Sequence, residues 1–411
     1  MLTSQQSATA LGVHVFMGAL TAGVMESFNV KAQLETFDLG EKTVEHNLKI
    51  PFIHAPAFDG KPSWRDVADG FHGVDLVYGN PRCTGFSALG HGCSEDAHGA
   101  WAAPTIDMRQ LFEVASWLRP TLICAESVQQ FGTVGRALME WLVEKHGDGY
   151  RVAEVYHNAA MFGNAQHRRR VFFIFYREDL QLPVYEVTEQ LLHKDRHRVI
   201  FDVIGGYWNT TGYLVDEALA IKGEKTLYDY SITQDDLETW RHGDLRGHYY
   251  ETCDYEDVQV LYPLIKEDWS LNDISTEDLA MSCERLHRVR KRGSSFSFHA
   301  TRRLHRYKHC PVIYSGSGHY LHPEFDRPLT VLELQRLMGF DEAWTVLGPA
   351  PISQLGKGVC LQVARWIGSL LKASLTGAVK RVGDPGERWE QFHLDDSALG
   401  WVPRKPILST T

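Results

Sequence analysis

None of the seven cysteines (83, 93, 124, 253, 283, 310 and 360) falls in a CxxC pair. That argues against a structural zinc module, and the odd, scattered placement fits a reducing compartment. Positive charge is scarce: 42 Lys and Arg against 52 Asp and Glu leave a net charge of −10, so the chain is not a generally basic nucleic-acid binder. Long apolar spans are missing as well. The stretch Ala10 to Met25 has no Lys, Arg, Asp or Glu, yet no basic residue precedes it, and His14 and three glycines interrupt it. It falls short of the roughly 20 residues a membrane span needs and reads as buried strand, loop and helix. The expectation is a soluble, cytoplasmic protein. A composition of 44% hydrophobic and 23% charged residues, with 35 Gly and 16 Pro in 411 residues, excludes a disordered or collagenous chain. The length suits two or three domains.

What is present begins with alternation. Up to about residue 185, the apolar runs Val13–Phe16, Val30–Leu34, Asp75–Tyr78, Thr121–Ala125 and Val171–Tyr176 each read as a buried strand. Between them Met108, Leu111, Phe112 and Ala115 repeat at helical spacing, as do Val134, Ala137, Leu138, Trp141 and Leu142. Strand and helix in alternation predict an α/β fold with a doubly wound, mostly parallel sheet. Glu35, the loop Gly79–Ser87 and Glu126 each follow one of these strands, where the crevice of such a sheet binds ligands.

The middle of the chain breaks the rhythm. Residues 213–284 hold 18 acidic and 5 basic side chains, whereas Arg285 to His309 hold nine Lys and Arg, four His and no acid. A concentrated basic stretch in a net-acidic protein suggests a local anionic partner, against the alternative of a solvated hairpin. Helical order returns near residue 325, where Thr330-x-x-Glu333 is a capping-box signature and Val359, Val363, Ala364, Ile367 and Leu371 follow at helical spacing. The last 30 or so residues read as a tail.

Cys83 in the loop Gly79-Asn80-Pro81-Arg82-Cys83-Thr84-Gly85-Phe86-Ser87 follows a strand, and a lone cysteine there is more often a small buried hydrophobe than a nucleophile. Its companions change that reading. Ala125-Glu126-Ser127-Val128 comes next, then Gln166-His167-Arg168-Arg169-Arg170-Val171-Phe172. Arg327-Pro328-Leu329-Thr330 with Arg336-Leu337-Met338-Gly339-Phe340 follows, then Gly356-Lys357-Gly358-Val359. The ordered set resembles the cytosine-C5 DNA methyltransferase family, whose blocks read PPCQGFS, ENV, QxRxRVF, RxLTxxExxRLxGF and GNxV. The resemblance covers about residues 13–185 and 310–372.

The resemblance implies a S-adenosylmethionine-dependent, Rossmann-like catalytic domain and a flipped-out cytosine as target. It makes Cys83 the nucleophile at C6, Glu126 the acid at N3, Arg170 the ligand of O2 and Arg168 a support for the catalytic loop or a phosphate. It makes Thr84–Ala100 a mobile loop. It assigns the donor to Phe16, Gly18, Glu35, Asp66, Asn80, Lys357 and Val359, with Glu35 twelve residues before Asn47 as in the family's Glu…Asn stretch. Residues 1–185 and 325–385 are then the catalytic domain, 186–324 a target-recognition domain and 386–411 a tail. Arg285, Arg288, Arg290, Lys291, Arg292, Arg302 and Arg303 are expected to meet DNA phosphates. Double-stranded DNA is the expected partner, a cognate restriction enzyme a candidate one, and a monomer the expected state. A tRNA substrate and a catalytically inactive DNA-binding homologue are the alternatives.

The chain also departs from the family pattern. DxFxGxGG becomes His14-Val15-Phe16-Met17-Gly18-Ala19-Leu20-Thr21, the second proline of PPC becomes Arg82, and ENV becomes Glu-Ser-Val. Lys357 stands where the family has Asn, beside the donor's reactive end. An ammonium there should repel a sulfonium unless an anion lies between them. This motivates carboxy-S-adenosylmethionine as the donor and 5-carboxymethylcytosine as the product.

Overall fold

The structure is a computed structural model that describes residues 8–55, 63–87, 98–191, 200–204, 302–304, 308–315, 320–321, 329–377 and 388–394. Eight strands form one sheet: β1 (Thr9–Val13), β2 (Asn29–Glu35), β3 (Phe52–His54), β4 (Leu76–Gly79), β5 (Leu122–Val128), β6 (Tyr150–Asn158), β7 (Arg169–Arg177) and β10 (Trp389–His393), in the order β10-β6-β7-β5-β4-β1-β2-β3. Only β7 runs antiparallel, to both β5 and β6. The remaining two strands, β8 (Arg302–Arg303) and β9 (Tyr320–Leu321), pair with each other.

Side-chain alternation builds a core on each face. Along β7, Phe172, Ile174 and Tyr176 enter one apolar cluster, while Val171, Phe173 and Phe175 enter the other. The first cluster is closed by α1 (Ala19–Val24), α8 (Val331–Leu337) and α10 (Leu361–Thr376). The second is closed by α3 (Trp64–Ala68), α4 (Ile106–Leu118) and α5 (Arg136–His146). The remaining helices are α2 (Glu41–Asn47), α6 (Val184–Leu191), α7 (Ile200–Ile204) and α9 (Pro351–Lys357). The doubly wound, mostly parallel sheet is therefore as expected. So is the capping box: Thr330 Oγ1 accepts from Glu333 N–H at 3.2 Å while Glu333 accepts from Thr330 N–H at 2.9 Å. The return of the C-terminal helix to the start of the chain depends on Gly23, where an added Cβ would lie 2.3 Å from the Ala364 carbonyl carbon.

Two expectations need correction, and one strand was not anticipated. The run Val13–Phe16 is not a strand: β1 ends at Val13, and both His14 and Phe16 take φ 56°. The backbone turns there so that the amides of Val15 and Phe16 both reach the Glu35 carboxylate. The segment 386–411 is not simply a tail, because Trp389–His393 pairs in parallel with β6 at the sheet edge. Strand β6 itself escaped the apolar pattern because Arg151 and Glu154 interrupt it, and both are buried against partners from neighbouring strands and helices. No helix among the described residues is long and apolar enough to cross a membrane.

Candidate active site

The strand order reverses between β1 and β4, and a crevice opens beyond the carboxyl ends of strands at such a point. Glu35 ends β2 with its side chain fully buried. Its Oε1 accepts from the backbone amides of Val15 and Phe16 and from Gln33 Nε2 at 2.9 Å. Burial outweighs these bonds and pushes the carboxyl up to about 8. Glu35 Oε2, Thr36 Oγ1, Asn80 Oδ1 and His14 Nδ1 are buried without a hydrogen-bond partner among the described residues. Buried polar atoms of this kind call for a ligand, and these lie at the ends of β1, β2 and β4. A polar, ribose-bearing donor such as S-adenosylmethionine fits that need.

Phe16 is buried beside Glu35, and Gly18, at φ 76°, starts α1 where an added Cβ would strike Leu48. Val359 is buried within the apolar cluster, at the foot of the Lys357 strap. The structure does not bring Asp66 to the group. Its carboxylate caps α3, accepting from Ser63 N–H at 2.7 Å and Ser63 Oγ at 2.8 Å, and it stays exposed. The residue in register with Glu35 at the end of β3 is His54, which the sequence did not single out because β3 is only three residues long.

The reactive side is assembled from three adjacent strands. Cys83 follows β4, Glu126 lies near the end of β5 and Arg170 near the start of antiparallel β7. Glu126 opposes Phe172 and Val128 opposes Arg170, so the two charged side chains are diagonal neighbours on one face. Arg170 Nε lies 3.2 Å from Glu126 Oε1. Burial raises the Glu126 carboxyl, opposed by Arg170 and Arg168. Burial likewise raises the Cys83 thiol; Arg170 and Arg168 pull it down and Glu126 pushes it further up. Two arginines thus favour the thiolate, but burial and Glu126 oppose them and the thiol's pKa stays above its ordinary value. Ser127, standing for the Asn of ENV, has a buried Oγ with no partner among the described residues.

Arg168, expected to support the catalytic loop or a phosphate, instead binds backbone carbonyls around Lys357. Its Nη1 donates to the Ile313 carbonyl at 2.7 Å, and Nη2 to those of Gly356 at 3.1 Å and Gly358 at 2.7 Å. It is a positioning residue for the strap carrying Lys357, and burial brings its guanidinium down to about 10. Gly356 must be glycine here, because a Cβ would meet the Tyr314 carbonyl carbon at 2.2 Å. Lys357 Nζ donates to Ser353 Oγ at 2.7 Å and Ser315 Oγ at 3.3 Å. Burial lowers the Lys357 ammonium's pKa, the Cys83 sulfur raises it and Arg82 lowers it. Lys357 and Cys83 therefore share one electrostatic site.

Of the expected DNA contacts, Arg285, Arg288, Arg290, Lys291 and Arg292 lie outside the described residues, as do residues 88–97 of the expected mobile loop. Arg302 and Arg303 form β8.

Residues 41–373 match the sequence profile described as C-5 cytosine-specific DNA methylase. The type II methyltransferase M.DdeI of Desulfomicrobium norvegicum is 23% identical over 296 residues, covering 67% of this chain and 64% of that protein. The match therefore spans less than two thirds of that relative's length. Among solved structures, a prophage-encoded E. coli protein described as a DNA modification methyltransferase superposes with a TM-score of 0.56 at 18% identity, over 90% of this chain and all of its own. The Entamoeba histolytica methyltransferase EhMeth gives 0.54 at 12% identity, over 90% of this chain and 99% of its own. At these identities the superpositions establish the fold.

Proposed function

The chain belongs to the C-5 cytosine-specific DNA methylase family, and from that premise we propose that it alkylates C5 of a cytosine flipped out of duplex DNA. The observation that carries this reading is the convergence of Cys83, Glu126 and Arg170 from three neighbouring strands on one buried site.

Each residue answers a chemical need. Cytosine C5 is a poor nucleophile until a thiolate adds at C6 and makes C5 an enamine carbon. Cys83 supplies that thiolate. Addition builds negative charge on the ring, which a protonated Glu126 neutralises by hydrogen-bonding N3. Its raised pKa favours the proton-bearing form. Arg170 lies 3.2 Å from Glu126 and gives Nη1 to the Arg169 carbonyl at 2.7 Å, which leaves Nη2 as a donor for O2. When bound, S-adenosylmethionine would supply an electrophilic carbon for C5, its sulfonium leaving as the neutral thioether S-adenosylhomocysteine. Transfer of the C5 proton to solvent and departure of Cys83 as thiolate would then restore the aromatic ring.

The duplex would be gripped by residues 186–324, whose stretch from Arg285 to His309 carries the basic charge. In this reading residues 1–185 and 325–385 form the catalytic domain, completed by β10, which pairs with β6 of the same sheet, and the cytoplasm is the site of action. The finer proposal concerns the donor. Lys357, half-buried and held by two serine hydroxyls, opposes a plain sulfonium and suits one that carries an extra carboxylate. Carboxy-S-adenosylmethionine is that donor, and 5-carboxymethylcytosine its product.

Nucleoside mass spectrometry on mixed-sequence duplex DNA tests both levels. The two donors are supplied separately and in competition, with Cys83→Ala as control. A methyl product from S-adenosylmethionine alone supports the enzyme and rejects the special donor. A carboxymethyl product, preferred in competition, supports both. No product from either donor on DNA, with salt-sensitive binding retained, would leave a DNA-binding protein.

A further inference from the structure

Two departures from the family pattern lie in different loops, yet one helix holds both. His14 sits in the loop after β1, and its Nε2 lies 3.0 Å from Gln110 Oε1 of α4. Arg82 stands next to Cys83, and its guanidinium donates to both oxygens of Asp107, from Nε at 2.6 Å and Nη2 at 2.7 Å. Asp107 and Gln110 are one helical turn apart on the buried face of α4. The two loops also touch directly, since Asn80 N–H donates to the His14 carbonyl at 3.1 Å.

The family's own residues do not suit this helix. An aspartate at position 14 would bring a second buried carboxylate toward Asp107, whose charge already acts on the His14 ring. A proline at position 82 would leave Asp107, 1% exposed, without its cation. Uncompensated buried charge of either kind is strongly unfavourable.

We propose that Asp107 and Gln110 are positioning residues that act through Arg82 and His14 to fix the Cys83 loop against the donor loop. The His14 and Arg82 departures are then one compensated exchange of charge around α4 rather than two separate erosions. A bidentate Arg–carboxylate fork fixes orientation as well as distance. The Phe37 ring, 4.8 Å from the guanidinium carbon, covers the fork. The consequence is catalytic because sulfur and donor must approach one ring together, and a misplacement of about 1 Å costs on the order of a hundredfold in rate.

The inference rests on Cys83 being the nucleophile, so the experiment reads two rates. One is covalent adduct formation with duplex DNA containing 5-fluorocytosine, at saturating DNA and donor. The other is alkylation of Cys83 by iodoacetamide in the free protein, which needs no enzymatic chemistry. Arg82→Gln and Asp107→Asn are each expected to slow adduct formation about tenfold without weakening DNA binding. The double variant should be no slower than the worse single. His14→Asp should be inactive, and adding Asp107→Asn should restore it. Losses that multiply in the double variant, or an unimpaired His14→Asp, would overturn the coupling. If the wild-type protein forms no adduct, the functional reading fails, while the same cycle in alkylation rates still upholds or overturns the coupling. Should Asp107→Asn not fold, Arg82→Lys decides: it keeps the charge without the fork, and a full wild-type rate would sink the proposal.

Discussion

The side-chain amide of Asn80 donates to the backbone carbonyl of Lys357 across 2.8 Å. The loop that carries Cys83 is thereby bonded to the strap that carries the lysine, and Arg168 holds the same strap through the Gly356 and Gly358 carbonyls. The lysine is placed by backbone contacts, so its side chain can be exchanged without moving the strap. Lys357→Asn is accordingly expected to keep cytosine alkylation and to shift donor preference toward S-adenosylmethionine by tenfold or more, since removing one partner of a close charge pair costs about 2 kcal/mol or above. Competition between the two donors, read by mass spectrometry, measures the shift. An unchanged preference would remove the case for the carboxylated donor.

In the proposed reaction Cys83 loses a proton and Glu126 keeps one. Burial raises both groups, so the adduct rate against pH should be bell-shaped, with the limb set by Glu126 above the usual carboxylate range. Glu126→Gln is expected to cost about a hundredfold in adduct rate and to abolish that limb while leaving the Cys83 limb. Arg170→Gln removes the largest influence that lowers the thiol's pKa, so iodoacetamide alkylation of Cys83 at pH 8 should slow. A Glu126→Gln profile that keeps both limbs would assign the carboxyl's role elsewhere.

The same burial governs acid stability. His157 lies in the core, stacked on Phe172 with centroids 5.0 Å apart, and burial brings its ring down to about 3. A depressed histidine leaves the folded state neutral while the unfolded chain takes up a proton. Its stabilising contribution is present above the unfolded value near 6.5 and is lost as pH falls toward 3. His146, brought down to about 4 by burial and Lys145, and His14, also lowered by burial, act in the same direction. Denaturant unfolding should therefore show stability falling below pH 6.5, by up to about 1.4 kcal/mol per pH unit for His157, with His146 and His14 adding to the fall. His157→Phe should flatten that slope by one histidine's share, and an unaltered slope would count against the assignment.

The sequence carried the parts of this molecule that ordered blocks and periodic apolar runs can encode. The family was legible because the blocks around Cys83, Glu126, Arg168 and Arg170 follow a specific order, and β7 because Val171 to Tyr176 is apolar on both faces. What it hid has physical reasons. Val13–Phe16 looked like a strand because loop residues turned around a buried carboxylate are as apolar as strand residues. Asp66 looked like a donor ligand because an exposed acid in a helix cap has the same letter. Asp107 and Gln110 were missed because polar residues on an amphipathic helix ordinarily face water, and only the fold shows these two buried against Arg82 and His14.

The edge strand β10 offers the last prediction, because a buried carboxylate anchors it beside the bonds that Glu390 accepts from Arg151 and Tyr176. Glu154 is fully buried on β6 and accepts from Arg136 Nη1 at 3.0 Å, Trp389 Nε1 at 2.7 Å and Gln391 Nε2 at 3.1 Å, as well as from the Tyr156 hydroxyl. Trp389 lies under the Arg136 guanidinium, 5.1 Å from centroid to carbon. Two donors of this set come from β10 itself, so the carboxylate fixes the register Gln391 to Glu154 that the backbone ladder then extends. Glu154→Gln keeps the shape, but it replaces an acceptor oxygen by an NH2 facing donors and leaves Arg136 without its counter-charge. Arg136 is 36% exposed and regains water, so the loss is that of the mispaired buried amide, about 1–3 kcal/mol. Because the deficit falls on an edge strand with one neighbour, hydrogen exchange should quicken at residues 389–393 before it changes in β1, β4 or β5. Uniform loss of protection across the sheet would instead make Glu154 a support of the whole core, and unchanged exchange at β10 would show that the backbone pairing alone suffices.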